Sequence, residues 1–206
     1  MLQCFSHLFH QFCITCEDNF LFLINLILFL KKINKKLTMK ARVSIIMGST
    51  SDWLIMEKAA KILNEFEIPF EVNALSAHRT PEQVEEFAKN AENRGIQVII
   101  AGAGMAAHLP GVIASMTPIP IIGVPIKASL EGIDAMLSIL QMPPGIPVAT
   151  VSLNGAQNAA ILSAQILSVG DKEIAEKVKE YKESLKSKII EANKELSNYK
   201  FDYKTN

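Results

Sequence analysis

From residue 42 onward, short apolar runs alternate with longer stretches in which apolar residues recur every three or four positions. That alternation predicts strands and helices in turn. Residues 42–47 (RVSIIM) are a β-branched run that stops at Gly48 and reads as a buried first strand. Ser51 or Asp52 can cap the following helix, whose apolar positions are Leu54, Ile55, Ala59, Ile62, Leu63 and Phe66. Pro69 closes this unit, and residues 70–75 form the second strand. Thr80-Pro81-Glu82-Gln83 reads as a helix start, with Thr80 as cap, Pro81 in the first helical position and Gln83 completing a capping box. That helix runs to about residue 94 and stops at Gly95. Residues 97–101, 119–124 and 148–151 read as strands three, four and five. A Gly-rich loop after strand three leads into a helix near His108, and helical stretches cover 131–140 and 155–167.

Strand-helix alternation without a hairpin signal implies right-handed crossovers and a parallel sheet with helices on both faces. Five such units favour an α/β, flavodoxin-like three-layer sandwich with strand order 2-1-3-4-5. Strands one, two and three are then neighbours, and the segments that follow them converge at the edge where open α/β sheets bind ligands. The tail from residue 171 to about 196 carries Ile174, Val178, Tyr181, Leu185, Ile189 and Leu196 along one helical face. This C-terminal amphipathic helix docks either on its own domain or on another subunit.

Composition divides the chain near residue 39. All three cysteines and six of the ten phenylalanines precede it; residues 39–206 hold 17 basic and 19 acidic side chains. A body without cysteine has no thiol nucleophile, disulfide framework or thiolate-held zinc. The zero net charge argues against a nucleic-acid surface. Within residues 1–38, the apolar run 20–30 is interrupted by Asn25 and followed by four lysines. It is shorter than the roughly 20 residues a membrane span needs, and its charges lie on the wrong side for a signal peptide. The expectation is an N-terminal extension that is not native, with Met39 as the true start, a catalytic domain over 39–170, and a helix and tail over 171–206. A membrane-surface anchor or an unusual leader is the alternative for 1–38.

Three strand-following segments carry the candidate chemistry: residues 48–53 (GSTSDW), 76–81 (SAHRTP) and 102–111 (GAGMAAHLPG). In the first, Gly48 admits a close ligand, Ser49, Thr50 and Ser51 offer hydroxyls beside a helix N-terminus suited to phosphate, and Asp52 can accept from a sugar diol. The alternative is that Ser51 and Asp52 only cap the helix. In the second, the His78 imidazole can take and return a proton near neutrality, and Arg79 offers a planar fork for phosphate or carboxylate. In the third, Gly102-x-Gly104-x-x-Ala107 loosely matches a dinucleotide fingerprint. The acid expected after the next strand is missing, however, and the first one met is Glu131. The glycines instead let a flat ring lie against bare backbone, and His108 either caps a helix or touches the ligand. The two histidines of the body are far apart in sequence, no HExxH or acidic cluster appears, and no lysine-bearing phosphate loop is present. Metal catalysis and ATP hydrolysis are disfavoured on that count.

These three motifs, with GVP and QMPPGIPVAT after them, closely resemble the class I 5-(carboxyamino)imidazole ribonucleotide mutases of purine biosynthesis, the catalytic component of bacterial phosphoribosylaminoimidazole carboxylase. The resemblance spans about residues 42–167. It implies an isomerase, free of cofactor and metal, that moves a carboxylate from the exocyclic nitrogen of an aminoimidazole ribonucleotide to ring carbon 4, with carbon dioxide held in a closed pocket. By the same resemblance His78 is the acid/base residue. Ser49, Asp52, Ser76 and Arg79 bind the ribonucleotide, and Gly102, Ala103, Gly104 and His108 wall the ring. A cytoplasmic homo-octamer acting on a small-molecule ribonucleotide, with neither nucleic acid nor membrane as partner, is also implied. Segments 127–130 and 154–157 are a residue or two shorter than the family's common form. The competing readings are a direct carboxylase of aminoimidazole ribonucleotide, where a lysine-type motif is expected and against which Arg79 favours the mutase, and a catalytically silent ribonucleotide-binding domain.

Overall fold

A computed structural model describes residues 39–206 together with Leu26, Ile27 and Leu30; the expectations for residues 1–38 otherwise lie outside the described residues. The chain divides into two units, and the fold below is that of the second, Lys40–Asn206. Its strands are β1 (Val43–Met47), β2 (Phe70–Ala74), β3 (Val98–Gly104), β4 (Ile121–Ile126) and β5 (Ala149–Thr150). Its helices are α1 (Trp53–Glu65), α2 (Pro81–Lys89), α3 (Ala91–Arg94), α4 (Leu109–Ala114), α5 (Ile133–Leu140), α6 (Ala156–Ser168) and α7 (Lys172–Ser197). The strands form one parallel sheet in the order β2-β1-β3-β4-β5.

Strand side chains alternate between two buried layers, as a parallel sheet covered on both faces requires. Val43, Ile45, Ile100, Ile122 and Val124 pack against α1, α6 and the start of α7. Ile46, Ile99, Ala101 and Ile121 pack against helices α2 to α5. A Cβ on Gly123 in β4 would come within 2.3 Å of Ile139 Cγ2, so the bare backbone there is what lets α5 lie close.

Several local expectations change. Leu54 is 77% exposed while Met56 is fully buried, so the core face of α1 is rotated toward Met56, Ala59, Leu63 and Phe66. The helix expected from 81 to 94 is broken at Asn90 into α2 and α3 before Gly95 ends it at φ 90°. Pro81 takes the first helical position, but the Thr80 side chain makes no cap bond to the helix. Nor do Ser51 or Asp52 cap α1 through their side chains. Ser49 instead caps a 3₁₀ turn, Thr50–Asp52, in a capping box with Asp52. The third strand runs on through the glycine segment to Gly104, because Ala103 and Gly104 pair with Pro125 and Ile126 of β4.

The tail helix is capped by Asp171, whose Oδ1 accepts from the backbone of Glu173 and Ile174. Ile174 and Val178 are buried, and Tyr181 meets Phe66 edge-on at 5.3 Å, a contact worth about 1 kcal/mol. Further along the same stripe Leu185, Ile189 and Leu196 are exposed. The first half of the stripe therefore docks on its own domain and the second half does not. Among the described residues no helix is long and apolar enough to cross a membrane.

Candidate active site

The parallel register brings three strand ends together: Met47 at the end of β1 is level with Ala74 at the end of β2 and with Gly102, two residues before the end of β3. The segments leaving those ends line one cleft of about 420 Å³. Gly48, Ser49 and Asp52 enter from the first, Ser76, His78 and Arg79 from the second, and Ala103, Gly104, Met105 and His108 from the third.

Arg79 ties two segments together. Its guanidinium donates to the Gly48 carbonyl at 2.8 Å and to Ser76 Oγ at 3.4 Å. A guanidinium has five donors, so these bonds leave others for a ligand. Across the loop, the Ser49 backbone N–H donates to Asp52 Oδ2 at 3.2 Å, and the Ser51 N–H donates to Ser49 Oγ. Burial raises the Asp52 carboxyl above its ordinary value, against the opposing pull of the Ser49 N–H, the Arg79 charge and the Ser51 hydroxyl. The Arg79 guanidinium and the Asp52 carboxyl both line the cleft, a pair of groups suited to an anion and to hydroxyls of one ligand.

The two histidines meet. His78 Nε2 lies 2.9 Å from His108 Nδ1, the rings 5.0 Å apart and nearly perpendicular at 82°. His108 occupies the position before α4 without a side-chain cap bond, and it lines the cleft. Nothing in the local sequence pairs residues 30 apart; they meet because β2 and β3, the strands that precede them, flank β1 in the sheet. His78, Arg79 and His108 are all exposed in the single chain.

The glycines behave differently from one another. A Cβ on Gly102 would meet Met56 Sδ at 2.4 Å and Ile126 Cδ1 at 3.1 Å, and Gly102 lies beneath the cleft rather than on its surface. Gly104 does line the cleft, and its own Cβ direction points at the Ile126 carbonyl, 3.1 Å away. Met105, missed in the sequence reading, lines the rim in a left-handed conformation at φ 56°, with 59% exposure. Ala128, from the loop after β4, completes the wall.

The AIR carboxylase family model matches residues 42–188, most of the chain. The chain belongs to this family. It is 59% identical over 156 residues to the N5-carboxyaminoimidazole ribonucleotide mutase of Thermotoga maritima, covering 75% of this chain and 91% of that protein. Identity to the Bacillus subtilis enzyme of the same name is 52% over 161 residues, 77% of this chain and 99% of the relative. A crystal structure of Treponema denticola PurE superposes with a TM-score of 0.69 at 39% identity, covering 75% of this AIR carboxylase family chain and 97% of that one. The matched segment contains all three cleft-lining segments and both histidines.

Proposed function

We propose that the chain is a 5-(carboxyamino)imidazole ribonucleotide mutase of purine biosynthesis, and that His78 moves the protons. The observation that carries this reading is the histidine pair at 2.9 Å beside Arg79, in a chain of this family. The reaction breaks the bond between the exocyclic nitrogen and its carboxylate, releasing carbon dioxide, while His78 gives that nitrogen a proton. Ring carbon 4 then bonds to the carbon dioxide, and its displaced proton returns to His78. One imidazole serves both steps because its ordinary titration lies near neutrality. His108 holds the His78 ring in line and walls the aminoimidazole together with Ala103 and the backbone of Gly104, with Gly102 beneath them. Arg79, Ser49 and Ser76 take the phosphate end, and Asp52 accepts from the ribose hydroxyls.

Released carbon dioxide has to be kept from solvent for recapture. Because His78, Arg79 and His108 are exposed in the single chain, the bound ribonucleotide and a neighbouring copy supply the cover in this reading. A homo-octamer fits it, supported by the exposed Leu137 and Leu140 of α5 and Leu185 and Ile189 of α7. The same reading takes residues 39–206 as sufficient for activity and assigns the enzyme to the cytoplasm, which cell fractionation checks.

The test is turnover of synthetic carboxyaminoimidazole ribonucleotide by the purified protein, followed by formation of the 4-carboxy product. Activity confined to aminoimidazole ribonucleotide plus bicarbonate would replace the mutase with the direct carboxylase. Ribonucleotide binding without turnover of either would leave a binding domain.

A further inference from the structure

We infer that Thr80, through a pair of hydrogen bonds to Ser76, is the residue that positions His78 for proton transfer. The inference deepens the mutase reading and rests on it. In sequence Thr80 is a helix cap, yet its hydroxyl has been diverted. Thr80 Oγ1 accepts from the Ser76 backbone N–H at 2.9 Å and donates to the Ser76 carbonyl at 3.1 Å. The Thr80 N–H also donates to that carbonyl, at 2.8 Å. Residues 76–80 are thereby closed into a ring across its base, with His78 at the apex.

The two functional side chains on this ring are anchored differently. Arg79 has its own ties to the Gly48 carbonyl and to Ser76 Oγ, and its backbone N–H also donates to Ser76 Oγ. Among the described residues the His78 side chain has one hydrogen-bond partner, His108. The placement of the His78 backbone thus depends on the ring, and the Thr80 hydroxyl supplies two of the bonds that close it, beside the backbone bonds of Arg79 and Thr80 to Ser76. Loosening it costs proton transfer more than binding, since a misplacement of about 1 Å at a reacting group can cost about a hundredfold in rate.

The test uses the full chain. Thr80→Val keeps shape and removes both side-chain bonds. Its expected kcat falls by about tenfold to a hundredfold, with KM changed less than about threefold. Thr80→Ser restores the hydroxyl and recovers most of the loss. The ring-proton NMR signals of His78 and His108 shift in Thr80→Val and return in Thr80→Ser. If Thr80→Val fails to fold, Thr80→Ala serves in its place. A valine variant with lowered melting temperature but unchanged kcat and histidine signals would overturn the inference, as would a serine variant no better than valine. Wild-type protein without turnover would instead overturn the mutase reading, and the histidine signals would still decide on Thr80.

Discussion

His78 and His108 share a single hydrogen bond, Nε2 to Nδ1 at 2.9 Å, although they come from different crossovers of the sheet. One proton lies between two rings, so the tautomer of either fixes that of the other. His78→Asn should keep ribonucleotide binding and lose turnover by about a hundredfold or more, the usual weight of a general acid/base. His108→Asn, which removes an orienting ring rather than the shuttle, should cost less. Steady-state kinetics and calorimetric titration on the same preparations separate the two effects; near-normal turnover in His78→Asn would remove it as the shuttle.

The two perturbed carboxyls have opposite pH signatures. Burial raises Asp52, so folding favours its protonated form; that contribution is complete below the ordinary value of 3.8 and is lost as pH rises through the folded value. Asp52→Asn should therefore gain on the wild type in denaturation midpoint as pH rises, with no difference in acid, while binding ribonucleotide less well. Asp171 is lowered, first by its hydrogen bond from Arg42 and then by the backbone N–H of Ile174. Its contribution is present above 3.8 and is lost as pH falls through the lowered value. Asp171→Asn should be weaker than the wild type at neutral pH and match it in acid. Urea titrations across a pH series read both.

Gly102 has no room for a methyl group because Met56 and Ile126 already occupy it. Gly102→Ala should cost about 1–3 kcal/mol of stability, the usual range for an overpacked core. Pairing it with Met56→Ala should return part of that loss, since the sulfur is the nearest obstacle. Thermal melts of the two single variants and the double variant test the coupling; strict additivity would show that the two sites do not touch.

Assembly is tested by mass. The full chain is 22.7 kDa, and sedimentation should give a species about eight times that. Ile189→Glu or Leu137→Lys should reduce it, with a parallel loss of turnover if a neighbouring copy covers the cleft. A fully active monomer would refute the cover by a second copy. Residues 39–206 alone should match the full chain in turnover and in the number of subunits per assembly.

Strand order and element identity could be read from the chain because β1, β3 and β4 carry short β-branched runs and every crossover is helical. What escaped reading was decided by partners distant in sequence. Ala103 and Gly104 have little strand propensity of their own, and they are strand only because β4 offers Pro125 and Ile126 alongside. Leu54 looked like core since it is apolar, but the buried stripe of α1 passes through Met56 instead. Thr80 carries a capping residue's chemistry and spends it on Ser76. The three cleft segments were visible as motifs, whereas the contact between the histidines depends on a strand neighbour that no local window contains.

The level alignment of Met47, Ala74 and Gly102 sets what an engineer could alter here. A residue added within β1 or β3 would turn every later side chain of that strand to the opposite face and displace its loop by about 3.3 Å. Residues exchanged beyond the strand ends would leave that frame intact. Grafted loops of new sequence are therefore the practical route to altered ring specificity, and strand lengths are the dimension to leave alone.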